Sequence, residues 1–339
     1  SSGSRPWDGR PFPFHPLLFA LAPILFLYSH NAARLPIAPT ELVLPLAVSF
    51  AAALCLWLLL WLAMRSSRRA ALVVTLFLAL FFLYGRAQDA IGPKTTPALL
   101  PAAAIAILLL GIVFFARPRR EFNGLTVFLN LASLALVLIN LVTGIPALLR
   151  SRTTNASASG ALAAENTDLP DIYYVILDSY AREDVLKQAY GYDNSGFTDY
   201  LRSRGFLIGS RSRSNYSQTY LSLASSLNMT YLDSLARKAG PESDDRSGLV
   251  EMIAHSRVVD FLKQHGYTTV SFASGYTGTE FEDADVHYAP RWALSEFQNV
   301  LISTTALPAV LELATRHSQW VVRRQLILYA FERLPDVAG

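Results

Sequence analysis

Long apolar runs without a charged residue alternate with short charged segments over the first 150 residues of the chain. A bilayer core about 30 Å thick is crossed by a helix of roughly 20 apolar residues. Four runs reach or approach that length, namely 42–64, 70–85, 95–116 and 122–149. A fifth run, residues 12–28, precedes them and contains His15 and Pro23. The pattern predicts five membrane-spanning helices within residues 1–150.

The charged residues divide unevenly between the two parts of the chain. Residues 1–170 hold 13 of the 29 Lys and Arg and 6 of the 26 Asp and Glu, so this part carries +7 and the remainder −4. The basic residues flank the apolar runs and form no patch, so they give no reason to expect a nucleic-acid partner.

The basic residues also predict how the five spans are oriented, because cytoplasmic loops carry an excess of Lys and Arg. One side of a five-span topology would hold eight of them: Arg5, Arg10, Arg65, Arg68, Arg69, Arg117, Arg119 and Arg120. The other side would hold five: Arg34, Arg86, Lys94, Arg150 and Arg152. We therefore expect a cytoplasmic N-terminus and an extracytoplasmic domain after the fifth span.

Three polar residues, Asn130, Ser133 and Asn140, share one face of the last predicted span. Polar residues inside a span serve either a function, such as contact with a lipid headgroup, or helix packing through interhelical hydrogen bonds. Neutral polar side chains mostly serve packing, and we expect that role here.

The pattern changes after the fifth run. Residues 151–170 are small and polar without periodicity, which is typical of a flexible linker. From residue 171, apolar runs of strand length alternate with segments of helix length. The predicted strands are 172–177, 206–208 and 269–273, and the predicted helices are 183–190, 195–204, 219–227, 247–264 and 307–334. This alternation predicts an α/β domain with a largely parallel sheet over residues 171–339.

Two residues are candidates for chemistry because of where they stand relative to these elements. Asp178 ends the first predicted strand, and ligands collect at the carboxyl ends of strands in open α/β sheets. Thr219 begins a predicted helix, where backbone N–H groups and the helix dipole favour a phosphate. Each also has a simpler interpretation, Asp178 as the cap of the next helix and Thr219 or Ser217 as the cap of its own. The pattern leaves these alternatives open.

Three segments carry a family resemblance: residues 170–182 around Asp178, residues 191–197 (Gly-Tyr-Asp-Asn-Ser-Gly-Phe) and residues 214–229 around Thr219. Together they resemble bacterial membrane-anchored sulfatase-like proteins of the alkaline phosphatase superfamily. Lipoteichoic acid synthases and lipid A phosphoethanolamine transferases are characterised members, with an extracytoplasmic catalytic domain after five membrane helices. The resemblance implies the same order here: a five-helix domain (1–150), a linker (151–170) and a sulfatase-like α/β domain (171–339).

The resemblance also implies a site. In these relatives an acidic residue that closes the first strand binds a metal ion, and a Thr in a Thr-x-x-Ser pattern at a helix start is the nucleophile. Asp178 matches the first position, and Thr219 with Ser222 matches the second. The implied catalytic residues are therefore Thr219 and Ser222, and the implied ligands of a divalent metal ion are Asp178 and Thr219. Zinc and manganese suit such ligands best, and magnesium is a further alternative.

The implied activity is the transfer or hydrolysis of a phosphate-ester group through a Thr nucleophile. Its implied partners are a lipid-linked phosphate donor and a glycan or lipid acceptor, outside the bacterial cytoplasmic membrane. A function of another class is also compatible with these residues. A non-catalytic membrane protein could retain the fold and bind or scaffold components of the cell envelope.

The chain departs from this family in two ways. It has no Cys/Ser-x-Pro-x-Arg motif, and its single cysteine, Cys55, lies in an apolar run, so a formylglycine-dependent arylsulfatase is not expected. It also has no Asp-His pair, which completes the metal site in the relatives. His287, beside Asp283 and Asp285, is the first alternative ligand within the chain. We expect the missing ligands beyond Gly339, in a C-terminal half of the domain that this chain lacks.

Overall fold

The computed structural model describes residues 11–32, 34–92, 99–117, 122–150, 169–276, 278–279, 281, 284–315 and 319–337. Within these ranges the protein is mostly helical, with one small sheet. The chain divides into two compact units, one formed by residues 1–159 together with 270–337 and the other by residues 160–269.

The first unit begins with five helices: α1 (His15–Asn31), α2 (Val43–Met64), α3 (Ser67–Ile91), α4 (Leu99–Ala116) and α5 (Asn123–Arg150). Four helices of the described part, counting the short turn that leads into α2, are long and apolar enough to cross a membrane. They are Pro39–Met64, Ser67–Ile91, Leu99–Ala116 and Asn123–Pro146. Four of the five predicted spans are confirmed as membrane-length helices, because an uncharged run satisfies its backbone polar groups best as a helix.

The fifth predicted span, residues 12–28, is helical but short. Its helix α1 has 17 residues and is therefore about 26 Å long, less than the ~30 Å bilayer core. The helix packs along α5 and also contacts α2 and α3. His15 is fully buried there, its backbone N–H donates to Asn130 Oδ1 (3.0 Å) and its Nδ1 lies 2.7 Å from Thr75 Oγ1.

The polar face of α5 takes part in helix packing, as expected. Asn130 accepts the bond from His15 and donates from Nδ2 to the Phe12 carbonyl at 2.9 Å. One end of α1 is joined to α5 in a similar way, since Ser29 Oγ donates to Asn140 Oδ1 at 3.2 Å. Ser133 is also buried and donates to the Asn130 carbonyl of its own helix. Interhelical hydrogen bonds thus account for Asn130 and Asn140, and Ser133 is buried and bonded within its own helix.

The rest of the first unit lies at the end of the described chain. Strands β1 (Val270–Phe272) and β2 (Val286–Tyr288) pair in parallel, with Ser271 opposite His287. Three helices follow: α12 (Glu296–Thr304), α13 (Leu307–Thr315) and α14 (Gln319–Arg333). Residues 270–337 therefore group with the N-terminal helices, whereas the pattern predicts a single domain from 171 to 339.

The second unit is built from short helices: α6 (Glu183–Tyr190), α7 (Ser195–Ser203), α8 (Thr219–Asn228), α9 (Asp233–Ala239), α10 (Ser247–Ala254) and α11 (Arg257–Gln264). Its buried centre is formed by α8 and α10, with Leu223, Ala224, Leu227, Leu249 and Ile253 inside. The predicted helix 247–264 is broken near His255, because Ser256 has an extended backbone and caps α11 by accepting from Val259 N. The predicted helix 307–334 is likewise divided, into α13 and α14, and residues 316–318 between them lie outside the description.

The predicted parallel sheet is the main correction to the expected α/β domain. Among the described residues only β1 and β2 form a sheet, and β1 is the predicted strand 269–273 shortened by one residue at each end. Residues 172–177 form no strand, and their side chains are 48–62% exposed. Residues 206–208 form none either, and Leu207 is 98% exposed. An apolar run becomes a strand only when neighbouring strands pair with it, and none does so here.

Candidate functional site

Asp178 lies in a tight turn at the end of the extended segment that precedes α6. The turn is closed by a bond from Tyr180 N to the Leu177 carbonyl at 3.1 Å. The next residue, Ser179, has a left-handed backbone with φ of 62°. That conformation costs a residue with a Cβ about 1–2 kcal/mol, so the turn beside the carboxylate is strained.

Thr219 is the first residue of α8. Gln218 is the N-cap, with an extended backbone and no side-chain capping bond. Its carbonyl accepts the first bond of the helix, from Ser222 N at 2.9 Å. The cap interpretation of Thr219 and Ser217 is therefore wrong, since neither occupies the N-cap position. The Thr219 side chain is instead directed to another part of the unit.

The Thr219 hydroxyl donates a hydrogen bond to the Asp178 carboxylate. The distance between Thr219 Oγ1 and Asp178 Oδ1 is 3.2 Å, across 41 positions of sequence. Asp178 is exposed and Thr219 is half-buried, so the pair is open to a ligand from solvent. Two oxygen atoms from distant segments thus meet at the N-terminal end of a helix, where backbone N–H groups favour an anion.

Ser222 is one turn further along α8 and has another partner. Its Oγ donates to the Tyr216 carbonyl at 2.8 Å. The Tyr216 hydroxyl in turn accepts from Leu232 N at 2.8 Å. Ser222 therefore holds the loop that leads into the helix. It supports the position of Thr219 through this loop and does not bond to Asp178.

A further contact inside the second unit holds the same loop. Asn215 Nδ2 donates to Ser225 Oγ at 3.1 Å, and Ser225 Oγ donates to the Thr230 carbonyl at 2.7 Å. Ser225 is almost fully buried, so this chain of bonds joins the start of the loop to the end of α8. The sequence shows no local signal for this role, because Asn and Ser are equally common in unconstrained loops.

Basic residues follow Asp178 and precede Thr219 in the chain. Arg182 donates from Nη1 to the Ser212 carbonyl at 3.1 Å, which ties the segment after Asp178 to the loop before α8. Hydrogen bonds from the Arg182 guanidinium hold the pKa of the Asp184 carboxyl below its usual value. Arg211 and Arg213 flank Ser212 and are exposed, so the loop carries two basic groups that attract an anionic ligand.

The residues present fit a metal ion only in part. Asp178 and Thr219 offer two oxygen donors of the kind that hard divalent cations prefer. Within the described residues, however, there is no group of three or more His, Cys, Asp or Glu side chains that could hold a metal. His287 Nδ1 lies 2.7 Å from Ser271 Oγ across the small sheet, and Asp283 lies outside the described residues. His255 and His265 follow the last residues of α10 and α11, where His265 Nδ1 lies 2.7 Å from the Phe261 carbonyl.

By length and composition, the four helices α2–α5 are able to span a membrane. Comparisons of the chain with protein-family models, with curated proteins and with solved structures find no significant match.

Proposed function

We propose that this protein is a membrane-anchored enzyme that transfers or hydrolyses a phosphate-ester group, with Thr219 as its nucleophile. The hydrogen bond between Thr219 Oγ1 and Asp178 Oδ1, 3.2 Å long, is the observation that carries the proposal. Of the three residues that the resemblance to sulfatase-like proteins assigns to chemistry, Asp178 and Thr219 meet, and Ser222 bonds to the Tyr216 carbonyl. The turn that holds Asp178 includes Ser179, whose left-handed backbone is uncommon for a residue with a Cβ.

In this proposal Thr219 Oγ1 attacks the phosphorus atom. A new bond forms between Oγ1 and phosphorus, and the bond from phosphorus to the leaving oxygen breaks. The hydroxyl proton moves along the hydrogen bond to Asp178 and is then passed to the leaving oxygen, which departs as the alcohol. The phosphorylated Thr219 then passes the group to an acceptor hydroxyl or to water. The backbone N–H groups of the first turn of α8 stabilise the negative charge on the phosphate oxygens.

The residues that would hold a divalent cation, zinc, manganese or magnesium, are Asp178 and Thr219. Such a cation lowers the pKa of the hydroxyl and neutralises charge on the phosphate. The contribution of the described residues to such a site is the placement of these two oxygen atoms.

The substrate class follows from the rest of the chain. Helices α2–α5 are apolar enough to keep the protein in a bilayer, so a phospholipid is the phosphate ester that its second unit meets at the highest local concentration. We propose that the donor is lipid-linked and that the leaving alcohol is a diacylglycerol, outside the cytoplasmic membrane.

A second function, a non-catalytic protein that binds envelope components, is favoured by a specific observation. Among the described residues, no three His, Cys, Asp or Glu side chains form a group that could hold a metal ion. In that case the pair would bind a phosphate or a headgroup without turnover.

Replacement of Thr219 tests the enzyme against the scaffold. The protein would be placed in vesicles of phosphatidylglycerol and phosphatidylethanolamine with fluorescent acyl chains, and release of fluorescent diacylglycerol would be followed with Zn²⁺ or Mn²⁺. Thr219→Val keeps the shape of the side chain and removes the hydroxyl. We expect it to lower turnover at least ~10³-fold, since the covalent route is lost. Mass spectrometry should find Thr219 of the unmodified protein carrying phosphoglycerol or phosphoethanolamine, because loss of diacylglycerol leaves the phosphate and its headgroup on Oγ1.

Three further variants control for folding and position. Thr219→Ser keeps a hydroxyl and should retain turnover, and Ser217→Ala, two residues away, should leave it unchanged. Asp178→Asn keeps an acceptor for the hydrogen bond but weakens a hard-cation site, so turnover and bound metal should fall together. Turnover by Thr219→Val close to that of the unmodified protein would remove the nucleophile and the proposal with it. Absence of turnover and of phosphoglycerol or phosphoethanolamine on Thr219 in the unmodified protein would favour the scaffold.

A further inference from the structure

The helices α12 and α13 form an apolar pair with a sharp bend. Taken together, the segments Glu296–Thr304 and Leu307–Ala314 have the length and apolarity of a membrane span. The angle between the two helices is, however, 82°. The nine residues of α12 extend about 14 Å, and α13, nearly perpendicular to it, adds only about 2 Å in that direction. The pair therefore reaches about half of a ~30 Å bilayer core and cannot cross it.

The helix α12 is packed against the N-terminal helices of its own unit. Phe297 and Leu301 are buried in the same apolar core as residues of α1 and α3. The ring of Phe297 meets that of Tyr28 edge to face, with centroids 6.3 Å apart. A Cβ placed on Gly85 of α3 would lie 2.2 Å from the Ser303 carbonyl oxygen, so only glycine permits this close approach of the two backbones.

The bend itself lies beside the apolar part of α3. Ala306 N donates to the Phe81 carbonyl at 2.8 Å. Phe81 belongs to the uncharged run 70–85 and lies five positions before Arg86, which is about 7.5 Å along the helix axis. Ser303 lies beside Gly85, and Ala306 lies beside Phe81. Between these two contacts the bend advances by one turn of α3, away from Arg86 and towards the centre of the uncharged run.

At the bend, side-chain hydroxyls donate hydrogen bonds to backbone carbonyls. Backbone polar groups need such partners in a hydrocarbon environment. The last carbonyls of a helix usually bond to water. Here Ser303, Thr304 and Thr305 donate their hydroxyls to the carbonyls of Val300, Leu301 and Ile302, at 2.7, 2.8 and 2.7 Å. Thr305 Oγ1 also accepts from Leu307 N at 3.1 Å. Irregular backbone at membrane depth must be paired, and these bonds meet that condition for the carbonyls of Val300, Leu301 and Ile302.

The helix α13 presents an apolar side that this unit leaves uncovered. Val310 is 55% and Leu313 is 75% exposed. At about 100° per residue, Val310 and Leu313 lie about 60° apart around the helix, and the only charged residue of α13, Glu312, lies about 130° from the middle of that side. An apolar side with a charged residue opposite is typical of a helix that lies along a membrane surface.

We propose that α12 and α13 form a re-entrant pair that enters the leaflet at the C-terminal ends of α1 and α3, with Val310 and Leu313 against lipid acyl chains. The occupant of the exposed side is the bilayer because the pair continues the surface of helices that are themselves apolar enough to span it. The segment that the pattern placed in a water-soluble domain would thereby be a second membrane attachment. The inference is independent of the chemistry at Thr219.

Collision accessibility of spin labels tests the inference in the full chain, in phospholipid vesicles. With Cys55→Ser as background, single labels would be placed by Val310→Cys, Leu313→Cys and Glu312→Cys. Leu59→Cys, on the exposed side of α2, serves as the lipid reference, and Leu207→Cys, which replaces a 98% exposed residue, as the water reference. Oxygen concentrates in lipid, and a nickel chelate stays in water.

We expect the oxygen-to-nickel accessibility ratio at Val310 and Leu313 to equal that at Leu59, and the ratio at Glu312 to shift towards that at Leu207. This periodic difference would not arise from a loss of folding, which would give all three positions the water value. A water value at Leu313 and Val310 would overturn the inference. Protection of these two positions from both oxygen and nickel would also overturn it, because protein and not lipid would then cover α13.

Discussion

Asn228, the last residue of α8, is a buried amide that joins three helices. It is 5% exposed, and its Nδ2 donates to the Met252 carbonyl of α10 at 2.7 Å. Its Oδ1 accepts from Arg257 N, the first residue of α11, at 3.2 Å. The residue thus secures the far end of the helix whose first residue is Thr219, so it supports the candidate site without touching it.

Replacement of Asn228 by Ala should destabilise the second unit by about 1–3 kcal/mol, because the part-buried Met252 carbonyl and Arg257 N–H lose a partner and the buried amide is lost. The effect should appear as a lower melting temperature of the purified protein. Asn299→Ala is the matched control, since Asn299 is exposed and bonds only locally, to the Leu294 carbonyl. An equal change for the two variants would contradict the role assigned to Asn228.

At the scale of elements, α3 and α12 of the first unit approach each other closely. This approach depends on Gly85, whose missing side chain admits the backbone at Ser303 and Thr304. Small residues serve the same purpose where helices pack in membranes, since they let two backbones approach closely. The sequence contains this glycine inside an apolar run, where it is easily mistaken for a residue without a specific role.

Gly85→Ala should therefore displace α12 from α3. The added Cβ would lie within 3 Å of backbone atoms of both Ser303 and Thr304, and the backbone cannot move as a flexible side chain does. We expect a loss of about 1–3 kcal/mol, measured as a lower melting temperature. The matched control is Gly124→Ala in the first turn of α5, where a Cβ would meet nothing within 4 Å. Gly85→Ala as stable as the control would show that the two helices do not approach this closely.

At the scale of the whole molecule, the orientation in the membrane decides whether the proposed chemistry meets an extracytoplasmic substrate. The basic residues predict a cytoplasmic N-terminus and an external segment after α5. The arrangement also places the C-terminal ends of α1 and α3, where α12 is packed, on the external side.

A reporter enzyme that is active only outside the cytoplasm tests this orientation. Fused after Arg152 it should be active, and fused after Arg68, at the start of α3, it should be inactive. Western blots of the two fusions would control for expression. The reverse pattern would place the second unit in the cytoplasm and remove the extracytoplasmic substrate from the proposal.

The amino-acid sequence by itself determined most of the helices. The spans α2–α5 follow from uncharged runs, and α6, α7 and α8 begin at the residues that the pattern predicts, because composition and periodicity act locally. It also identified Asp178 and Thr219 as candidates from their positions at the ends of elements. A resemblance between short segments can identify such residues, because it does not depend on which segments are neighbours in the fold.

Only the tertiary structure decided which of these parts meet. The 3.2 Å bond between Thr219 and Asp178 joins residues 41 positions apart, and no local pattern contains such a distance. The apolar run 172–177 reads as a strand, yet strand formation depends on partner strands elsewhere in the chain, and within the described residues it has none. The grouping of residues 270–337 with the N-terminal helices depends on Gly85, Phe297 and Ala306, whose contacts lie more than 200 positions apart. Long-range packing, and not propensity, selects among the structures that the local pattern allows.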